Sequence, residues 1–211
     1  MRNLSPSLLI AAMITAAPLA AQDASPFKFG GQLSFANPSG DLSDISKTGL
    51  GFALFAEQLL NDNMSLRYNV SYLKFGAKKE TFYISTIENS ADVTSLMGDF
   101  VYRFDSHGAG CFVFAGPAYV MPKFKTENNV RYGDYYESLQ SSSESKSGFA
   151  LSAGIGYNFT RNFGVEARYV KSFGIKTKIY EEQDDDYGYE DIEVNKSVAV
   201  DWLTVSLSYR F

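Results

Sequence analysis

Apolar residues in this chain recur at every second position. Nowhere after the first two dozen residues do they run on for the roughly 18 that a membrane helix needs. A period of two belongs to a strand whose faces meet different surroundings. Eight such segments stand out, over residues 27–36, 49–58, 64–75, 93–104, 111–120, 147–159, 163–173 and 198–211. Each is near the nine to eleven residues, roughly, that a tilted strand needs to cross a hydrocarbon layer. The connectors after the second, fourth and sixth segments are short (Leu59–Asn63, Asp105–Gly110, Thr160–Asn162). Those after the first, third, fifth and seventh are long (Asn37–Thr48, Gly76–Asp92, Met121–Lys146, Gly174–Ser197). Short and long connectors therefore fall on opposite ends. The expected fold is all-β: an eight-stranded antiparallel up-and-down transmembrane β-barrel with short periplasmic turns and long extracellular loops. Helix is expected to be nearly absent, with single turns conceivable at Glu57–Leu60 and Glu137–Gln140. The low-complexity stretch Ser138–Ser147 reads as a mobile loop.

Alternation assigns an outward face: Phe27, Phe29, Leu33 and Phe35 in the first segment, and Leu203, Val205, Leu207, Tyr209 and Phe211 in the last. Lys28, Glu57, Arg67, Asp99, Arg103, Glu166, Arg168 and Arg210 then fall on the opposite face, while Lys74, Lys171 and Asp201 share the outward parity. These three exceptions sit at the extracellular ends of their strands. There a charge facing lipid costs roughly 0–1 kcal/mol instead of roughly 2–4 at midplane. The inward set predicts a lumen plugged by a polar network of Glu57, Arg67, Asp99, Arg103, Glu166, Arg168 and Arg210. Gln32, Asn69, Asn158 and several serines lie between them, and Lys28 at the periplasmic mouth. The fifth segment, Cys111–Val120 (CFVFAGPAYV), is apolar at both parities, and its faces stay open.

The N-terminus reads as a signal peptide over residues 1–21: Arg2, the apolar run Leu8–Ala17, and small residues before a cleavage point between Ala21 and Gln22. The barrel domain is then 22–211. Arg2 is the sole charge removed, so 19 basic residues become 18 against 24 acidic, a net of −6, which disfavours nucleic acid as a partner. With one cysteine, Cys111, no intrachain disulfide can form. Phe and Tyr number 17 and 14, and those at segment ends (Tyr72, Tyr102, Phe104, Tyr157, Phe159, Phe163, Phe173, Tyr209, Phe211) suit interface girdles.

The chain ends Trp202-Leu203-Thr204-Val205-Ser206-Leu207-Ser208-Tyr209-Arg210-Phe211. This resembles the terminal strand by which the outer-membrane assembly machinery recognises its clients, with Leu207, Tyr209 and Phe211 on the pattern. With the leader and the eight segments, the chain resembles the small bacterial outer-membrane β-barrels of the OmpA/OmpX type. The resemblance implies an outer-membrane location, contact with lipid and lipopolysaccharide, and a monomer. It leaves activity open, since that fold carries adhesins, anchors, channels and a few lipid-modifying enzymes. No domain follows Phe211, so peptidoglycan anchoring is not expected.

Catalysis is not expected either. His107, the sole histidine, lies in Asp105-Ser106-His107-Gly108, where neighbours in sequence cannot converge as a triad and where Asp, Ser and Gly form turns. Lipid-modifying barrels of the resembling family use a histidine or an acid/histidine pair near the outer leaflet, and none stands there. No cofactor is implied. The stretch 180–193 carries eight acids in fourteen residues. Its oxygens suit Ca²⁺ or Mg²⁺ bridging to lipopolysaccharide phosphates, but the spacing matches no EF-hand, and a solvated acidic loop is the favoured reading. The function expected is a structural or surface-interaction (adhesin-like) role, with a narrow porin-like channel or small-solute transporter as the alternative.

Overall fold

The computed structural model describes residues 27–82, 85–105, 109–132, 135–185 and 188–211. In chain order the elements are β1 (Phe27–Ser39), α1 (Leu42–Ile45), β2 (Ser46–Leu59), β3 (Met64–Phe82), β4 (Ser85–Arg103), β5 (Gly110–Tyr132), β6 (Tyr135–Ser145), β7 (Gly148–Asn158), β8 (Phe163–Ser172), β9 (Ile175–Asp185), β10 (Gly188–Val198) and β11 (Asp201–Arg210). Each of β1, β2, β3, β4, β5, β7, β8 and β11 pairs antiparallel with the next, and β11 returns to β1 in register from Gly30 opposite Arg210 to Ser39 opposite Asp201. The result is a closed eight-stranded barrel. Closure leaves no strand edge unpaired in lipid, where an unmet N–H or C=O costs several kcal/mol.

The barrel is apolar outside and polar within. Leu33 is 71% exposed and Phe149 70%, whereas Glu57 is 0% exposed. Contiguous apolar surface on that scale would drive a protein in water to aggregate, but in hydrocarbon it is solvated. Aromatic rings cluster at the short-turn rim, Tyr102 with Phe104, Tyr157 with Phe159, and Tyr209 with both Phe163 and Phe211, at centroid separations of 5.4–6.0 Å. That is the position of an interface girdle.

Two short turns share one construction. After β2, Asn61 Oδ1 accepts from the backbone N–H of Asn63 and Met64 (3.0 and 2.8 Å). After β7, Thr160 Oγ1 accepts from Asn162 and Phe163 (3.2 and 3.0 Å). The asparagine at the end of each turn then clasps the adjacent strand end: Asn63 Nδ2 donates to the Arg103 carbonyl (2.9 Å) and Asn162 Nδ2 to that of Arg210 (2.7 Å). Each clasp anchors the backbone of an arginine whose side chain enters the lumen.

The long connectors differ from expectation. Most of Gly76–Asp92, Met121–Lys146 and Gly174–Ser197 forms strand: β3 and β4 run 19 residues each and β5 runs 23. This is about twice what crossing requires. The polar segment Ser138–Ser145, expected as a mobile loop, pairs within β6. The barrel sheet divides at the rim. β6 stays paired to β5, while β9 and β10 leave as a separate hairpin, with Gly174 at φ +60 turning the chain out of β8. Among the described residues, helix forms at neither expected place but in α1. There Leu42 and Ile45, three residues apart, point down onto the barrel mouth.

Candidate functional site: the lumen

Inward residues change character along the barrel axis. On β3, counting from the short-turn end, they are Ser65, Arg67, Asn69 and Ser71, then Leu73 and Phe75. On β11 they are Arg210, Ser208, Ser206 and Thr204, then Trp202. The half nearest the short turns is charged and the half nearest the hairpins is apolar.

The structure brings all seven expected network residues together, each at most 6% exposed. Glu57 is the hub. It accepts from Ser65 Oγ and pairs with Arg103 Nη2, and Arg210 Nε stands 3.3 Å and Arg67 Nε 3.9 Å from its other oxygen. Arg67 Nη1 donates to Glu166 Oε2 at 2.7 Å. Arg168 links Glu166 (3.4 Å) to Asp99 (2.8 Å), which also accepts from Asn69 Nδ2 (2.8 Å) and Ser152 Oγ (2.6 Å). The chain of charge runs Arg103–Glu57–Arg67–Glu166–Arg168–Asp99, with Arg210 hung on Glu57. Lys28 is exposed at the short-turn mouth.

Three rings complete the layer: Phe55, on the inward parity of β2, and Phe112 and Phe114 of β5, which alternation alone did not assign. Arg67 lies over Phe55, Phe112 and Phe114 at 5.1, 5.3 and 5.7 Å, and Arg168 over Phe114 at 4.4 Å. A desolvated guanidinium over an aromatic face gains about 2 kcal/mol. Glycines on the neighbouring strands leave room for these rings. A Cβ at Gly30, Gly154 or Gly156 would lie 2.2–2.3 Å from Phe55, Phe114 or Phe112 respectively. The faces of β5 are thereby settled: Phe112, Phe114, Ala118 and Val120 look inward, and Cys111, Val113, Ala115 and Pro117 outward.

The second layer corrects the expectation of a lumen polar throughout. Leu73, Phe75, Val93, Val120, Val170 and Trp202 pack with Leu42 of α1 into a buried apolar plug, against which Ile45 and Phe124 rest. Gly40, at φ +57, releases β1 into α1, and Asp41 Oδ2 accepts from the Ala199 N–H at 2.8 Å to hold that turn over the mouth. Between the layers lies a cavity of about 10 Å³, lined by Gln32, Ser34, Ser71, Met97, Arg168 and Trp202 among others. It has room for one water at most. Asp201 is also corrected. Of the three charges given outward parity, Lys74 and Lys171 are exposed, but Asp201 is 6% exposed and accepts from the Ser172 N–H at 2.8 Å. Asp201, the first residue of β11, is held under cover by Ser172, whereas Trp202 follows the inward alternation of the strand.

Leu207, Tyr209 and Phe211 all face outward. Leu207 stands opposite Leu33 and Tyr209 opposite Gly31 across the β1–β11 seam, and the Phe211 N–H donates to the Phe29 carbonyl at 2.9 Å. His107, residues 1–21 and the side chains of the acidic stretch 180–193 lie outside the described residues. Among the described residues no group of three His, Cys, Asp or Glu side chains is gathered as for a metal ion.

Comparison with known proteins agrees with this architecture. The chain matches the outer membrane protein beta-barrel domain family over residues 7–211, and it belongs to that family. It is therefore a protein of the bacterial outer membrane. A search of curated proteins found no match. Similar solved structures include Ail, the attachment invasion locus protein of Yersinia pestis, in complex with the heparin analogue sucrose octasulfate (TM-score 0.54, 18% identity, 88% of this chain and 97% of that one). A major outer membrane protein from Thermus thermophilus gives 0.52 at 15% identity (88% and 99%), and the outer membrane protein OprG from Pseudomonas aeruginosa gives 0.51 at 11% (88% and 95%). Identities this low concern the fold alone.

Proposed function

We propose that this protein is a sealed barrel that displays β-hairpins at the cell surface for contact with other molecules, and that it neither conducts solutes nor catalyses a reaction. One observation carries the reading. The barrel interior is filled by two layers in series, while β3, β4, β5 and β6 continue past the rim as one sheet. A transport protein needs a path, and a cavity of about 10 Å³ is none. Length spent on strands that rise beyond the membrane serves presentation instead. The short turns then face the periplasm and the hairpins face outward. The β6 strand, paired on one side to β5, offers backbone donors and acceptors on its other edge, the means by which a sheet takes up an extended partner. The Ail neighbour, described as an attachment invasion locus protein and solved with a sulfated sugar analogue, has the same fold and is compatible with such a role. In this reading the outward row Leu207, Tyr209 and Phe211 is what the outer-membrane assembly machinery meets, and the barrel works as a monomer.

Two measurements test it. Purified protein in planar bilayers is expected to give no reproducible conductance steps; steps would restore the narrow-channel alternative. Protease added to intact cells is expected to cut within the β3–β4 and β5–β6 hairpins and leave the barrel whole. Protection of both hairpins would reject the surface role.

A further inference from the structure

The outer wall carries a recess that the sealed lumen does not use. Between β1, β2 and β3, near the hairpin rim, lies a hollow of about 460 Å³ lined by the side chains of Phe35, Thr48, Leu50 and Lys74. Its origin is local. The β2–β3 register shifts between Lys47 and Gly49, so that Lys47 and Thr48 both point outward. Opposite them Gly76 has no side chain, and a Cβ there would press to 3.1 Å from the Thr48 carbonyl. Leu50 and Phe35, 68% and 51% exposed, present bare apolar surface to the hollow.

A row of cations stands across the wall beside it. Lys47 pairs across the strands with Gly76, Lys74 with both Leu50 and Asp92, and Asp92 with Lys123. Lys125 Nζ reaches Asp92 Oδ2 at 2.5 Å. That hydrogen bond, with the aspartate's charge, pushes the Lys125 pKa up, so its ammonium stays charged. Lys125 thus holds Asp92, with Lys74 and Lys123 as that aspartate's cross-strand neighbours, on a surface whose lower part faces acyl chains. Surface pairing with Asp92 satisfies Lys125 and leaves Lys47, Lys74 and Lys123 exposed. Apolar groove and cation row call for a ligand that is apolar below and multiply anionic above.

We infer that this groove and lysine row form a site for lipid A, the phosphorylated glycolipid of the outer leaflet, with an acyl chain in the recess and phosphate on the lysines. The inference rests on the reading that the hairpin rim faces outward. Each lysine near an anionic headgroup contributes on the order of 1 kcal/mol, so the row matters collectively.

The test is native mass spectrometry of the purified protein released from neutral detergent. It is titrated with bis-phosphorylated lipid A, with the same lipid A dephosphorylated, and with phosphatidylglycerol. One lipid A is expected to stay bound per barrel, with phosphatidylglycerol and dephosphorylated lipid A at least about tenfold weaker. Replacing all four lysines (K47Q, K74Q, K123Q, K125Q) is expected to lower lipid A binding by a similar factor. Leu50→Trp, which fills the recess, is expected to lower it while leaving the lysines intact. Heat-dependent electrophoretic migration shows that each variant is folded. Equal binding of dephosphorylated lipid A or of phosphatidylglycerol, or unchanged binding by both variants, would overturn the site. Binding in detergent does not depend on which rim faces outward, whereas protease shaving does, so the two failures are distinguishable.

Discussion

Glu57→Ala is expected to destabilise the barrel by about 3–5 kcal/mol. The carboxylate is 0% exposed and faces Arg103, Arg210 and Arg67. Arg67 keeps Glu166 when Glu57 is gone. Arg103 and Arg210 then have no carboxylate ion pair among the described residues, and two buried guanidiniums lose most of their compensation. Glu57→Gln, which keeps a hydrogen-bond acceptor for Ser65 and Arg103, should fall between. Removing Glu57 and Arg103 together should cost less than the sum of the two single changes, since the double variant strands one fewer charge. Urea titration of protein folded into vesicles, followed by heat-dependent electrophoretic migration, measures all four. A loss below about 1 kcal/mol for Glu57→Ala would mean that the lumen is wet enough to solvate the arginines.

The second large effect belongs to the other layer. Trp202 is 1% exposed and sits at the floor of the apolar plug, where it also lines the small cavity between the layers. Trp202→Ala is expected to cost about 3–5 kcal/mol, because the lost burial and the new void add. Because the seals act in series, neither single variant should conduct in planar bilayers, while Glu57→Ala combined with Trp202→Ala should. Conductance from Trp202→Ala alone would show that the charged layer is no seal.

Which parts of this arrangement were legible in the sequence follows from what alternation records. Where one face meets lipid and the other ionised groups, as on β3 with Tyr68 and Val70 against Arg67 and Asn69, two residues suffice to tell inside from outside. On β5 the signal vanishes, because Phe112 and Phe114 turn inward to stack on Arg67 and Arg168. The space they use is provided by Gly154 and Gly156 on β7, some forty residues on, which no local window contains. The apolar plug escaped for a related reason: Leu73, Val93 and Val170 are apolar like the lipid-facing residues beside them, so burial by protein and burial by lipid look alike. The hairpins escaped because strands with water on both faces need no alternation. Pairing holds them, as in Lys79 with Glu88 across β3 and β4 at 2.5 Å. The burial of Asp201 escaped because its cover comes from Ser172 at the end of β8, which donates to it from 29 residues earlier in the chain. The lipid A groove had a visible half, Lys74 at the outward parity near the rim. Its other half depends on the β2 register shift, which only pairing reveals.

The central claim, lipid outside and a packed interior within, has a built-in reporter, since Trp202 is the sole tryptophan. Its fluorescence should be insensitive to vesicles of brominated lipids and to acrylamide. In a Trp202→Phe background, Leu54→Trp on the outward face of β2 should be quenched strongly by bromine at mid-chain depth. Strong bromine quenching of Trp202, with Leu54→Trp untouched, would turn the barrel inside out and contradict the account.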